Sequence, residues 1–236
     1  MQRVKFKDLG LIDYKKAWDY QENLLQQNVS IKSAARKLNP DYIAADLLTQ
    51  HYFLICEHEP VYTLGKSGSM DNVLMSDDEL KENGIAFFNT DRGGDITFHG
   101  LQQIVGYPIL DLEKFYTDIG RYLRNLEEAI ILTIAEYGIE GERSKGETGV
   151  WIAPGIIGKE RKICAIGVRC SRWITMHGFA LNVNTDLSYF DNIIPCGIVN
   201  KQVTSMEREL GRKLDYEEVK ENLKRNFEKV FDIELK

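Results

Sequence analysis

Apolar residues in this chain fall into many short stretches, and in a few longer segments they recur every three or four positions. Short apolar stretches, alternating or continuous and bounded by turn residues, predict strands. The predicted strands are 1–9, 52–57, 61–64, 85–88, 96–99, 103–110, 148–153, 162–170 and 175–183. Short polar turns join the last three, which favours antiparallel pairing among them.

The helical period predicts three amphipathic helices. One begins at the capping residue Asp13 and runs to about residue 27, the longest spans 117–137 before Gly138, and the last runs from Asp215 to about residue 230. A short helix is expected over 76–83. Residues 28–46, interrupted by Pro40, are predicted to be a partly helical excursion without chemistry.

The order of these elements predicts the α+β class, with a mixed, mostly antiparallel sheet flanked by helices. No linker, internal repeat or low-complexity tract divides the 236 residues, so we expect a single domain over 1–236. A chain of this length can bury a substantial hydrophobic core.

Composition and charge narrow the function classes. Hydrophobic residues make up 43% of the chain, and 30 basic against 36 acidic residues give a net charge of −6, which argues against coating nucleic acid. The first ten residues lack the apolar core of a signal peptide, and no window approaches the roughly 20 apolar residues of a membrane span. We therefore expect a cytoplasmic protein without membrane or nucleic-acid partners.

The four cysteines are too few for a disulfide scaffold, and none forms a C-x-x-C pair of the kind that binds zinc. Cys56, Cys164 and Cys170 lie within apolar runs and are predicted to be small buried side chains. Cys196 instead lies between Pro195 and Gly197, outside any helix or strand pattern. It is either a nucleophile or a structural residue of a turn.

Lys162 leads an otherwise apolar strand. If its side chain points inward with Cys164, two positions along and so on the same face, burial lowers the pKa of its amine. A basic amine near a thiol stabilises the attacking thiolate, so Lys162 would suit proton transfer with Cys196. The alternative is an exposed lysine at a strand end, clustered with Lys159 and Arg161.

His99 and His177 are each followed by a glycine, and His58 stands at the end of a strand. These histidines either share a pocket or are ordinary buried or surface residues. Glycines inside two strands, Gly167 and Gly178, indicate that something packs closely against the backbone. That neighbour is a helix or, alternatively, a slender acyl chain.

Several motifs occur in a fixed order between about residue 52 and residue 205. They are Glu57-His58-x-Pro60-Val61-Tyr62-Thr63-Leu64-Gly65, Arg92-Gly93-Gly94-x-x-Thr97-x-His99-Gly100, Gly149-Val150-Trp151, Lys162-Ile163-x-Ala165-Ile166-Gly167-Val168-Arg169, His177-Gly178-Phe179-Ala180-Leu181-Asn182-Val183, Pro195-Cys196-Gly197 and Val203-Thr204-Ser205. With them the chain resembles the octanoyl (lipoyl) transferases, which move an octanoyl group from acyl carrier protein to a lipoyl domain.

This resemblance implies the fold of the lipoate and biotin ligases, with Cys196 carrying the acyl thioester and Lys162 adjusting its ionisation. His58 and His177 would support the site. By the same resemblance, the reaction needs no cofactor and no metal. The implied substrate-binding residues are Arg92, Gly93, Gly94, Asp95, Ile96, Thr97, Phe98, His99, Ala165, Ile166, Gly167, Gly178, Phe179 and Ala180.

The implied partners are octanoyl-acyl carrier protein and the lipoyl domains of 2-oxoacid dehydrogenases and of the glycine cleavage H protein, met by a monomer. Lys159, Arg161, Arg169 and Arg172 would either form a positive rim for these acidic partners or belong to a solvated hairpin. The chain departs from the family at Leu101-Gln102, where Pro-Gly usually follows His-Gly, which places the shape of that turn in question.

Three other functions remain open. An ATP-dependent lipoate or biotin ligase of the same fold would use a lysine and free acid without requiring Cys196. A thioester hydrolase using cysteine and histidine would need water in place of an amine. A non-catalytic protein that binds acyl carrier or lipoyl domains is the third.

Overall fold

A computed structural model describes residues 1–194 and 202–236 of the chain. The strands are β1 (Gln2–Leu11), β2 (His51–Glu57), β3 (Val61–Leu64), β4 (Ala86–Asn89), β5 (Ile96–His99), β6 (Gln103–Ile109), β7 (Val150–Ile152), β8 (Arg161–Ser171), β9 (Ile174–Asn182), β10 (Gln202–Val203) and β11 (Ile233–Leu235). The helices are α1 (Tyr14–Leu38), α2 (Asp77–Glu82), α3 (Ile119–Ala135), α4 (Met206–Leu210) and α5 (Tyr216–Phe231).

Eight strands form the main sheet within the described residues. Seven follow the order β10-β8-β9-β6-β2-β1-β11, and β7 adds to the start of β8. The pairs among β2, β6, β9, β8 and β7 are antiparallel, whereas β1 pairs in parallel with β2 and β11, and β10 with β8. The mixed sheet and the predicted antiparallel pairing of β7, β8 and β9 are therefore confirmed.

Helices cover both faces of this sheet because its strands are apolar on both. In β2, Phe53 and Ile55 enter the larger core beneath α3 and α5, and Leu54 enters the core beneath α1. The Phe53 ring stacks on Phe227 of α5 with the ring centroids 4.0 Å apart. Each such buried side chain contributes about 1.5–3 kcal/mol of transfer free energy.

A second, smaller sheet has the order β4-β3-β5 and a core of its own. Strand β3 pairs in parallel with β4 and antiparallel with β5. The loop between β4 and β5 returns to the main sheet, where the Gly93 N–H donates to the Val168 carbonyl over 2.9 Å. That contact brings the small sheet against the part of β8 that β7 leaves unpaired.

The predicted helices and strands are found within a few residues of their expected ends, with one large difference. Helix α1 does not end near residue 27 but continues to Leu38, just before Pro40. Its extra turns are held by Lys32, which is almost fully buried and contacts the Asp111 carboxylate over 2.7 Å. No helix in the described part of the chain is both long enough and apolar enough to cross a membrane.

Candidate active site

A cavity of about 650 Å³ lies between the small sheet and the main sheet, against β8 and β9. It is lined by every predicted substrate-binding residue except Phe98, and by Lys162 and His177 as well. The loop before β5 forms one wall, and Ala165, Ile166 and Gly167 of β8 form the opposite one. The structure thus brings together residues that lie far apart in the sequence.

Phe98 is the predicted binding residue that the structure places elsewhere. Its ring stacks on Tyr189 with the centroids 4.5 Å apart, within the core of the small sheet. Strand β5 alternates, so Phe98 points to the core side while His99 points to the cavity.

A chain of hydrogen bonds holds the wall that carries Arg92 and His99. The Arg92 Nη2 donates to the Thr63 carbonyl over 2.5 Å and to its hydroxyl over 2.9 Å, and that hydroxyl lies 3.3 Å from His99 Nε2. On its other side, His99 Nδ1 lies 3.0 Å from Gln103 Oε1. Because burial lowers the pKa of His99 well below its usual value, this imidazole is a neutral hydrogen-bonding group at pH 7.

Gly167 and Gly178 face each other across β8 and β9, and both line the cavity. A Cβ on Gly178 would lie 2.1 Å from the Gly106 carbonyl oxygen, and one on Gly167 would lie 2.6 Å from that of Gly93. The close neighbours of these glycines are therefore backbone atoms of β6 and of the loop between β4 and β5. They are neither the helix nor the acyl chain that the sequence suggested.

Lys162 and His177 lie at opposite ends of the cavity. Lys162 is near the start of β8, whereas His177 is on β9 and pairs with Val168, farther along β8. The Lys162 ammonium is 4.6 Å from the centroid of the Trp151 ring. The neighbouring residues Val150 and Trp151 of β7 pair with Cys164 and Lys162 of β8, which are two positions apart. Ile163 lies between them as the extra residue of a bulge, and Ile163 and Cys164 both enter the main core. This bulge interrupts the alternation, so the prediction that Lys162 and Cys164 share a face is wrong.

Cys196, with Pro195 and Gly197, lies outside the described residues. The segments on either side of it do reach the cavity: Phe190 lines it before the gap, and Val203 lines it after. Val203 pairs with Lys162, and the Thr204 N–H donates to the Lys162 carbonyl over 2.9 Å.

The other three cysteines do not line this cavity. Cys56 and Cys164 are buried as predicted, whereas Cys170, near the end of β8, is partly exposed. Burial raises the pKa of each thiol, so all three are protonated at neutral pH and are poor nucleophiles.

The two supporting histidines are placed differently. His58 is buried away from the cavity lining, with Nδ1 2.7 Å from the Ile12 carbonyl and Nε2 2.7 Å from the Tyr107 hydroxyl, and burial lowers its pKa to about 4. His177 lines the cavity and its Nε2 lies 2.8 Å from Asp91 Oδ1. Burial outweighs this carboxylate and lowers the pKa of His177.

Asp91 and Tyr14 are among the site residues that the sequence analysis missed. Asp91 directly precedes the Arg92 motif, a position that offers a signal in retrospect. Tyr14 opens α1 and stacks on His99 with the centroids 5.8 Å apart, which nothing in its sequence context indicates.

The expected positive rim is neutralised at two of its four positions. Arg169 contacts Asp91 over 2.5 Å and Glu22 over 2.7 Å, and Arg161 is ion-paired with Glu209. Two of its four cations are therefore already paired within the protein. Among the described residues, no group of three or more His, Cys, Asp and Glu side chains is arranged to hold a metal ion.

Residues 13–228 match the family model described as the lipoyl protein ligase A/B catalytic domain. The chain is 56% identical to an octanoyltransferase of Christiangramia forsetii over 100% of its own length and 98% of that protein. It is 57% identical to an octanoyltransferase of Flavobacterium psychrophilum, covering 97% of each chain.

Solved structures with the same fold are more distant in sequence. A bipartite lipoate protein ligase of Thermoplasma acidophilum aligns with a TM-score of 0.69 at 17% identity, covering 100% of this chain and 86% of that one. A biotin protein ligase of Aquifex aeolicus, at 12% identity, aligns with a TM-score of 0.51 over 97% of this chain and 70% of that one. These likenesses show the expected fold.

Proposed function

This chain belongs to the lipoyl protein ligase A/B catalytic domain family, among its octanoyltransferases, and we propose that it transfers an octanoyl group through a thioester on Cys196. The donor is octanoyl-acyl carrier protein and the acceptor a lysine of a lipoyl domain, in the first step of protein lipoylation. The observation that carries the proposal is the sequence identity of 56–57% to octanoyltransferases over 97–100% of this chain. A cavity bordered by Lys162 and by both flanks of Cys196 supports it.

In the first half-reaction, the amine of Lys162 takes the proton of the Cys196 thiol. The thiolate attacks the carbonyl carbon of the carrier thioester, the bond to the carrier sulfur breaks, and Lys162 returns the proton to the leaving thiolate. In the second, the amine of the acceptor lysine attacks the Cys196 thioester. Lys162 accepts the proton released as the amide forms, and the cysteine thiolate leaves. The carrier thioester is already activated, so no nucleotide is consumed.

The acyl chain is proposed to lie in the cavity among the predicted substrate-binding residues. Several apolar side chains offer it a dry surface, and each buried methylene contributes about 0.8 kcal/mol. They are Ile119, Leu123, Ile166, Val168 and Phe179. The hydrogen-bonded group of Arg92, Thr63 and His99 fixes the loop that closes over this surface.

The acceptors we propose are the lipoyl domains of 2-oxoacid dehydrogenases and the glycine cleavage H protein. We further propose that the chain acts as a monomer in the cytoplasm. The Thermoplasma acidophilum ligase was studied with its E2 lipoyl domain, which is an acceptor of this class.

The test is a transfer assay without ATP, containing octanoyl carrier protein and an apo lipoyl domain. We expect octanoylated lipoyl domain without added nucleotide, and little free octanoate. Transfer from free octanoate that requires ATP would identify a ligase instead. Free octanoate released equally with and without the lipoyl domain would identify a hydrolase, and binding without any turnover would leave only the non-catalytic alternative.

A further inference from the structure

The side chain of Lys162 lies against Gly149 and the first residues of β7. A Cβ on Gly149 would lie 3.5 Å from Lys162 Cε and 2.6 Å from the Cys164 carbonyl oxygen. The short distance to that carbonyl oxygen and the φ of +118° require glycine here, and the lysine stem passes the glycine at ordinary contact distance. The ammonium then meets the Trp151 ring at 4.6 Å.

The Trp151 ring is fixed from several directions. Its side chain is 1% exposed, and its backbone exchanges two hydrogen bonds with Glu142, of 2.9 Å and 2.8 Å. On the other side, Trp151 is paired with Lys162 itself in the antiparallel ladder of β7 and β8. The pairing of the two strands therefore holds the lysine directly opposite the tryptophan.

A buried carboxylate of α3 holds Gly149, the residue that precedes β7. Glu127 is fully buried, and its Oε1 accepts a hydrogen bond from the Gly149 N–H over 3.1 Å. Its Oε2 receives Arg124 Nη1 at 2.7 Å and Arg143 Nε at 3.1 Å. Burial raises the pKa of Glu127, and the Gly149 N–H and the two guanidinium groups offset that effect only in part. The proposed transfer does not otherwise use this carboxylate.

We propose that Trp151 is a positioning residue for Lys162 and that Glu127 acts through Gly149 to keep the ring and the lysine aligned. The inference rests on the proposed function, because it concerns the amine that moves the protons. A cation over the face of an indole is attracted by the ring's quadrupole. The ammonium that forms when Lys162 takes a proton is thus held in one place, from which it returns that proton.

Steady-state kinetics of octanoyl transfer test the role of the ring. We expect Trp151→Leu to lower kcat by about 3- to 30-fold, the range that a cation–π contact supports, with KM for the carrier within about twofold of wild type. Trp151→Phe keeps an aromatic face and should recover much of the loss. Trp173→Leu, in the turn between β8 and β9, is the matched control. A Trp151→Leu enzyme with unchanged kcat would overturn the role of the ring.

The carboxylate is tested by a second pair of variants, which also decides the matter if Trp151→Leu fails to fold. Glu127→Gln retains an oxygen that accepts from the Gly149 N–H, whereas Glu127→Ala does not. We expect the alanine variant to lose kcat about tenfold and the glutamine variant to stay within about threefold. Glu136→Ala, near the end of the same helix, is the control. Equal losses in both Glu127 variants would overturn the link through Gly149.

A readout independent of transfer separates this inference from the proposed function. Acetylation of Lys162 by acetic anhydride, followed by peptide mass spectrometry with Lys159 as internal reference, measures how accessible and reactive the amine is when the ring no longer covers it. We expect severalfold faster labelling in Trp151→Leu and in Glu127→Ala. Labelling at the wild-type rate in both would overturn the inference, whether or not the wild-type protein transfers octanoate.

Discussion

Gln102, in the turn where the sequence departs from the expected Pro-Gly, occupies a left-handed backbone conformation with φ +60°. Hydrogen bonds hold it there: its N–H donates to Glu57 Oε2 over 2.6 Å, and its carbonyl accepts from the Asn184 N–H over 3.1 Å. Its side-chain oxygen also accepts from Asn184 Nδ2 over 2.9 Å. The turn therefore adopts a conformation that glycine favours, although the residue is not glycine.

Replacement of this residue should separate backbone strain from contact energy. Gln102→Gly relieves about 1 kcal/mol of backbone strain, which stabilises the fold. It also removes one hydrogen bond and raises the conformational entropy of the unfolded chain, and both effects destabilise the fold. The free energy of unfolding should therefore change by less than about 1 kcal/mol. Gln102→Val places a β-branched residue at positive φ and should cost about 2 kcal/mol. Urea unfolding measures both. Equal losses would show that the side-chain contacts, and not the backbone, decide this position.

At the scale of elements, apolar periodicity predicted α3 and nine of the eleven described strands, because their patterns continue without interruption, but it missed the short β10 and β11. It failed for the second half of α1, where the decisive contact is a buried ion pair between residues far apart in sequence. Lys32 contacts Asp111 over 2.7 Å and Glu113 over 3.0 Å. The Thr49 hydroxyl donates to the other Asp111 oxygen over 2.8 Å. A lysine on a polar stretch gives no sign of such a partner.

This ion pair makes α1 sensitive to one substitution. Lys32→Met leaves the buried Asp111 carboxylate without its counter-charge and should lower the free energy of unfolding by about 3–5 kcal/mol. Lys37→Met, on the exposed side of the same helix, should change it by less than about 0.5 kcal/mol. Denaturant titration with circular dichroism compares the two. A loss at Lys32 no larger than at Lys37 would refute the anchoring of α1.

At the scale of the whole molecule, sequence reasoning identified most of the cavity lining because the motifs lie on strands that meet in the sheet. It missed contributions that depend on tertiary contact: the stacking of Tyr14 on His99, the bulge at Ile163 and the buried Glu127. Each of these is set by which chain segment packs beside another, and a single sequence does not display that.

The histidines give the molecule a shared response to acid. Burial lowers the pKa of all four, to about 4 for His51 and His58. Between pH 6.5 and pH 4 the unfolded chain therefore binds protons that the folded chain does not, and stability falls as the pH falls.

From pH 7 to pH 5, His58 alone should account for about 2 kcal/mol of lost unfolding free energy. His58→Gln keeps groups able to hydrogen bond with the Ile12 carbonyl and the Tyr107 hydroxyl but does not titrate, so its loss over this interval should be smaller by about that amount. Urea unfolding at the two pH values measures it. An unchanged dependence would contradict the assignment of this slope to His58.

The central claim, that Cys196 carries the acyl group, is tested most directly by intact-mass measurement after mixing the protein with octanoyl carrier protein and no acceptor. The account predicts one octanoyl adduct, removed by hydroxylamine, on the wild-type protein and on a Cys170→Ala control, and none on Cys196→Ala. An adduct that persists in Cys196→Ala, or that maps to another cysteine, would contradict it.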